Sequence, residues 1–278
     1  AGVSPALTSI RRAVLLAAGR GTRMRAANDG VALSAEQERA AADGHKAMMP
    51  VGRPFLDYAL SALADAGVRD VCLVVAPGDA VIRDRYTTGV RLSRLRIQFA
   101  EQAAPRGTAD AVRSARAFVG DSPFLVLNAD NYYPVAALKR LCDLGAPGLA
   151  VFDADALVRL GNVPRERVRA YALVRTDASG HLADIVEKPD GAALHTMGDH
   201  ASVSMNLWSF PPEILVACDR IAPSARGELE LPDAVRYAMR ELGVRFRSVA
   251  CADGVLDLSS RADVPEVAER LRDVEVSL

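Results

Sequence analysis

Apolar and polar positions alternate along the chain in two distinct ways. Short continuous apolar runs at residues 13–18, 71–76, 95–100, 124–128 and 149–152 have the length and the β-branched content of strands buried on both faces. Between most of them, residues 55–66, 109–119 and 135–141 repeat apolar positions at helical spacing, which predicts amphipathic helices. That order builds right-handed βαβ units and a parallel sheet covered on both sides. Beyond residue 168 the pattern changes, predicting strands at 170–175, 182–187, 202–210 and 245–249 and helices at 213–218, 232–242 and 264–273. The expected fold is therefore α/β, a Rossmann-like, mainly parallel mixed sheet with helices on both faces and a smaller second lobe. No repeat or Pro/Ser-rich linker divides the chain. All of residues 1–278 are read as one domain, with a first part over about 10–155 and a second over about 156–278.

One polar stretch interrupts the pattern. Ser34-Ala35-Glu36-Gln37 has the form of a capping box, residues 38–42 are mostly strong helix formers, and Gly44 can end a helix. A short exposed helix is predicted within residues 26–44. It is read either as a mobile lid over the preceding glycine loop or as a fixed surface insertion.

Composition narrows the class. Half of the 278 residues are apolar and the net charge is −1, so the chain can bury a large core and carries no charge bias of a nucleic-acid binder. No apolar run approaches the roughly 20 residues needed to cross a bilayer. Residues 1–9 lack the charged start and apolar block of a secretion signal. No membrane or nucleic-acid partner and a cytoplasmic location are expected. Cys72, Cys142, Cys218 and Cys251 lie far apart among mostly apolar neighbours, with no Cys-x-x-Cys pair. They are expected to be buried free thiols.

Candidate chemistry concentrates at strand ends. The run Leu16-Ala17-Ala18 enters Gly19-Arg20-Gly21-Thr22-Arg23-Met24, and Lys46 follows in Lys46-Ala47-Met48-Met49-Pro50. A glycine loop after a strand exposes backbone N–H groups, which suits it, with Arg23 and Lys46, to a polyanion such as a nucleoside triphosphate. It lacks the third glycine of a dinucleotide fingerprint and the Gly-Lys-Ser/Thr of a P-loop. By itself it is equally a tight turn. Asp130 closes an apolar strand after Asn128 and Ala129, and Asp257 closes another apolar stretch. Two such carboxylates suit one Mg²⁺ that draws its other ligands from water and phosphate, although each alone is also an ordinary turn former. Glu187-Lys188-Pro189 offers an acceptor for sugar hydroxyls and a point charge for a phosphate, or an exposed ion pair before a turn.

Together these segments, with residues 102–110, Met205-Asn206-Leu207-Trp208 and Arg226-Gly227-Glu228-Leu229-Glu230, resemble in order the motifs of the sugar-1-phosphate nucleotidylyltransferases. The resemblance covers nearly the whole chain. It implies that Leu16, Ala17, Ala18, Gly19, Arg20, Gly21, Thr22 and Arg23 wrap the triphosphate, with Lys46 on the reacting phosphates. Gln102, Pro105, Gly107 and Thr108 would meet the base beside Asn128, and Asp130 and Asp257 would hold Mg²⁺. Tyr171, Ala172, Glu187, Lys188, Asn206 and Arg226 would hold the sugar phosphate. The first part of the chain would thus be nucleotide-binding and the second sugar-phosphate-binding. The implied reaction is transfer of a nucleotidyl group from UTP or dTTP to a sugar 1-phosphate, glucose 1-phosphate foremost, by an enzyme for which the resemblance allows a homo-oligomer. Alternatives are a cytidylyl- or adenylyltransferase on another phosphorylated substrate, or a catalytically silent sensor of NDP-sugars. Thymidylyl-transferring relatives usually carry Gly where this chain has Ala129, and Thr-Gly-Thr where it has Leu258-Ser259-Ser260.

Overall fold

In the computed structural model, which describes residues 9–26, 30–168, 170–186 and 202–278, the first strand β1 (Arg12–Leu16) is buried on both faces. Ala13 and Leu15 enter one apolar layer and Val14 the opposite one, as the period-2 geometry of a strand requires. β2 (Asp70–Val75), β3 (Arg96–Glu101) and β4 (Phe124–Asn128) run parallel to it in the order β3-β2-β1-β4. Helix Phe55–Asp65 covers the layer of Leu15 and Leu73 with Leu56, Leu60 and Leu63. The predicted helix at 109–119 is two helices, Thr108–Ser114 and Arg116–Val119, parted at Ala115. They cover the layer of Val14, Val74 and Val126 with Val112 and Phe118.

The rest of the chain extends this sheet. A two-residue strand β5 (Asn131–Tyr132) follows β4, then come β6 (Gly148–Asp153), β7 (Ala172–Thr176), β8 (Leu182–Val186), β9 (Ser202–Ser204), β10 (Trp208–Phe210), β11 (Arg247–Cys251) and β12 (Leu256–Asp257). β10 lies antiparallel between β4 and β6, β9 takes the other half of the same β6 edge and leads to β7 and β8, and β11 runs parallel along the opposite edge of β6. The predicted strand at 202–210 is thus two strands. Asn206 sits between them at φ 57, a left-handed conformation that Asn tolerates better than most residues, and it redirects the chain from β9 to β10.

The capped helix forms at Ala35–Asp43. Ser34 accepts from the Gln37 N–H while the Gln37 side chain accepts from the Ser34 N–H, and Gly44 closes the helix at φ 75. Ala41 is fully buried in an apolar cluster with Met24, Met49, Leu258 and Val264. Glu38 pairs with Arg261, and Gln37 Nε2 donates to the Pro50 carbonyl at 2.9 Å. The helix is therefore docked against both the glycine loop and the C-terminal segment. No helix among the described residues is long and apolar enough to cross a membrane, and all four cysteines are buried free thiols.

Candidate active site

Strand register brings the loops together. Leu16 pairs with Val74 on one side and Asn128 on the other, and the Ala129 N–H donates to the Leu16 carbonyl at 3.1 Å. The glycine loop and the segment Asn128–Asp130 consequently leave the sheet side by side at its carboxyl edge, where open α/β sheets bind ligands. A cavity of about 900 Å³ opens there.

Two glycines are required by close approach. A Cβ on Gly21, at φ 62, would lie 2.3 Å from the Gly44 carbonyl oxygen; one on Gly107, at φ 106, would lie 2.5 Å from the Leu229 carbonyl oxygen. Gly21 thereby lets the helix Ala35–Asp43 end against the glycine loop. Gly107 lets residues 226–231 dock on residues 106–109, where Leu229 N–H donates to the Arg106 carbonyl (2.7 Å), Ala109 N–H to the Leu229 carbonyl (2.9 Å), and Leu231 N–H to Thr108 Oγ1 (2.9 Å).

Of the residues anticipated from the sequence, Leu16, Ala17, Ala18, Gly19, Arg20, Thr22, Lys46, Gln102, Pro105, Gly107, Thr108, Asn128, Asp130, Asn206 and Arg226 line the cavity. Gly21 lies outside the lining. Arg23 is exposed and outside the lining, because the short helix Thr22–Arg25 buries Met24 and turns Arg25 inward, where its guanidinium donates to the Asp43 carbonyl at 2.7 Å. Tyr171, Ala172 and Asp257 also lie outside the lining. Glu187 and Lys188 fall outside the described residues. Sequence reasoning missed Arg25, Asp43, His45 and Glu228 in the lining; only the packing of helix Ala35–Asp43 against Gly21 sets the first three there.

Lys46 and Asp130 form an ion pair inside the cavity, both side chains about four-fifths buried. Gln102 Nε2 donates to the Gly107 carbonyl and to Asp110 Oδ2, each at 3.0 Å, while Arg113 binds the other oxygen of Asp110. Both partners of Nε2 are acceptors only, which fixes the amide orientation and leaves Oε1 as the group for a ligand.

Asp257 is placed differently. β12 pairs antiparallel with β5, setting Asp257 opposite Asn131, and the Leu258 N–H donates to the Asp130 carbonyl at 2.9 Å. The buried Asp257 carboxylate accepts from Arg167 Nη1 (3.0 Å), Tyr171 hydroxyl (3.0 Å) and Ser259 hydroxyl (2.7 Å) on Oδ2, and from Asn131 Nδ2 (2.9 Å) on Oδ1. Burial first, then the Asp257 charge, holds the Tyr171 phenol far above its ordinary range, so it remains a donor.

The divalent cation implied by the resemblance can be tested against these donors. Asp130 fits: it is a hard carboxylate facing the cavity. Among the described residues no three His, Cys, Asp or Glu side chains converge on one point, so such an ion would complete its shell with phosphate and water. Asp257 does not fit as a direct ligand in this arrangement, since it lies outside the cavity lining and its carboxylate is engaged by Arg167, Tyr171 and Ser259 on one oxygen and by Asn131 on the other.

The comparisons agree with the geometry. A glucose-1-phosphate thymidylyltransferase of Streptomyces griseus is 30% identical over 92% of this chain and 64% of its own length. A UTP–glucose-1-phosphate uridylyltransferase of Haloferax volcanii is 26% identical over 94% of this chain and 97% of its own. The chain spans slightly less than two thirds of the two Streptomyces thymidylyltransferases it matches. A UDP-glucose pyrophosphorylase solved with UDP-glucose shares the fold at TM-score 0.74 and 18% identity, over 96% of this chain and all of that one. The nucleotidyl transferase family model matches residues 12–250, and with the glycine loop, Lys46 and Asp130 meeting at one sheet edge, the chain belongs to the nucleotidyl transferase family.

Proposed function

We propose that the protein transfers a nucleotidyl group from UTP or dTTP to a sugar 1-phosphate, glucose 1-phosphate foremost, releasing pyrophosphate. The observation that carries this reading is one cavity shared by the glycine loop, the Lys46–Asp130 pair and the oriented Gln102 amide. Its size, about 900 Å³, suits a nucleotide together with a hexose phosphate. Gln102 presents a carbonyl oxygen, which matches the imide N–H of uracil or thymine and leaves the acceptor N3 of cytosine or N1 of adenine unmatched.

Among the described residues, the lining holds four basic side chains, Arg20, Arg25, Lys46 and Arg226, and four acidic ones, Asp43, Asp79, Asp130 and Glu228. Their charges balance. A triphosphate bound there needs an added cation, and Mg²⁺ held by Asp130 would supply the missing neutralisation. Lys46, Arg20 and Arg25 would neutralise phosphate oxygens, while Arg226 and Asn206, with Tyr171, Ala172, Glu187 and Lys188, would orient the sugar phosphate. In the reaction a phosphate oxygen of the sugar 1-phosphate attacks the α-phosphorus; a new P–O bond forms, the α–β P–O bond breaks, and pyrophosphate leaves. No protein nucleophile is needed, because such a transfer depends on positioning and charge stabilisation.

Pyrophosphate release from four NTPs against a panel of sugar 1-phosphates, with Mg²⁺, tests the reading. UTP or dTTP should give the highest kcat/KM, and Gln102→Ala should reduce the preference over ATP and CTP by about tenfold, the cost of one mismatched buried amide. A wild-type preference for a purine NTP would overturn the base assignment. No turnover with any pair would overturn the activity.

A further inference from the structure

The family resemblance makes Asp257 a cation ligand, but the side chains around it give it other work. Arg167 is its counter-ion and is held in turn by Asp263 through Nη2 at 2.8 Å. On the opposite oxygen Asp257 accepts from Asn131 Nδ2, which turns the Asn131 carbonyl oxygen toward Asn128, whose Nδ2 donates to it at 3.0 Å. Tyr133, fully buried, sets its hydroxyl 3.3 Å from that oxygen but gives its one proton to the Met205 carbonyl. An amide has distinct donor and acceptor ends, so fixing one fixes the next. Asp257 is acceptor-only, hence Asn131 must point its nitrogen at it; Asn131 then offers only oxygen to Asn128; and Asn128, a cavity-lining residue, keeps its own carbonyl oxygen for whatever binds.

We propose that Asp257 is a positioning residue and not a cation ligand: balanced by Arg167, it sets the Asn131 and Asn128 amides so that Asn128 presents an acceptor to a hydroxyl of the bound nucleotide or sugar. The inference rests on the nucleotidyl-transfer reading for its ligand, and on the geometry alone for its denial of a cation to Asp257.

The neutral isostere separates the two roles. Asp257→Asn must keep its single acceptor for Arg167, Tyr171 and Ser259, so its Nδ2 turns to Asn131 and reverses that amide, while Arg167 keeps Asp263; Asp257→Ala leaves the Asn131 amide without this partner. Titrating Mn²⁺ followed by electron paramagnetic resonance, Asp257→Asn should bind the ion within about twofold of wild type, while Asp130→Asn should bind it at least about tenfold more weakly. In turnover, Asp257→Asn and Asp257→Ala should each raise at least one of the NTP and sugar-phosphate KM values about tenfold, the loss expected for a misoriented polar contact, because neither holds the Asn131 amide as the carboxylate does. Should either single variant fail to fold, Arg167→Lys/Asp257→Asn, which neutralises Asp257 while keeping a cation beside the buried Asp263, should also retain Mn²⁺ affinity. Loss of Mn²⁺ affinity in Asp257→Asn or in the double variant to the level of Asp130→Asn would overturn the proposal.

Discussion

Lys46 and Asp130 neutralise each other in the absence of ligand, and the energetics of that pair determine what each contributes. A carboxylate and an ammonium largely withdrawn from water are tolerated because each is the other's partner. On the proposed reading an arriving triphosphate would attract Lys46, and the freed carboxylate would become a cation site. Asp130→Asn should therefore lower turnover at least about a hundredfold, roughly 3 kcal/mol of barrier, and weaken Mn²⁺ binding in parallel. Lys46→Ala should lower turnover comparably yet leave Mn²⁺ binding intact or tightened, since it uncovers the carboxylate. Steady-state pyrophosphate release beside Mn²⁺ titration distinguishes the two variants; equal loss of ion binding in both would mean that Lys46 and Asp130 do not compete for one place.

The helix Ala35–Asp43 shows what an insertion requires in order to hold still. Its ends are capped by Ser34 and Gly44, but a nine-residue helix is marginal on its own. Burial of Ala41, the Gln37–Pro50 hydrogen bond and the Glu38–Arg261 pair supply the rest. Arg261 is itself buried and also donates to the Met24 carbonyl at 3.0 Å, so the helix, the glycine-loop helix and the C-terminal segment meet at one guanidinium. This arrangement favours a fixed insertion over a mobile lid. In hydrogen-exchange measurements residues 38–43 should already be protected in the free protein, and Glu38→Ala should raise their exchange by loosening a contact of about 1–2 kcal/mol. Amides that are unprotected until nucleotide binds would restore the lid.

At the scale of the molecule, both parts of the chain share one sheet, with β10 inserted between β4 and β6. The single tryptophan, Trp208, is fully buried at that junction, stacked on Phe210 at 5.2 Å and edge-on to Phe246 at 5.9 Å. A sheet whose central strands come from both parts cannot lose one part and keep its core. Urea unfolding followed by Trp208 fluorescence and by far-ultraviolet circular dichroism should therefore give coincident transitions. A fluorescence change that precedes the loss of helix signal would show that the second part opens separately.

Periodicity and turn chemistry in the sequence alone determined the βαβ order, the strands 124–128 and 182–186 nearly to the residue, and the capped helix at 35–43, because those are local properties of neighbouring side chains. The glycine loop, Lys46 and Asp130 were legible as well, since each sits at a strand end or beside a glycine that the backbone geometry demands, while Gln102 was legible only through the family resemblance. The two-residue strands β5 and β12 were not legible, being too short to carry a period, and they decide where Asp257 faces. The turn of the short helix Thr22–Arg25, which directs Arg25 instead of Arg23 into the cavity, and the left-handed Asn206 that splits one predicted strand into two, were likewise settled by packing. Which partner a charged side chain takes depends on residues far away in sequence: Arg167 reaches Asp257 across 90 positions and Glu38 reaches Arg261 across 223. A one-dimensional pattern names the acids and bases of the site. Only the tertiary fold, by fixing their distances and withdrawing them from water, decides which carboxylate is left open to a ligand and which is spent on holding the others in place.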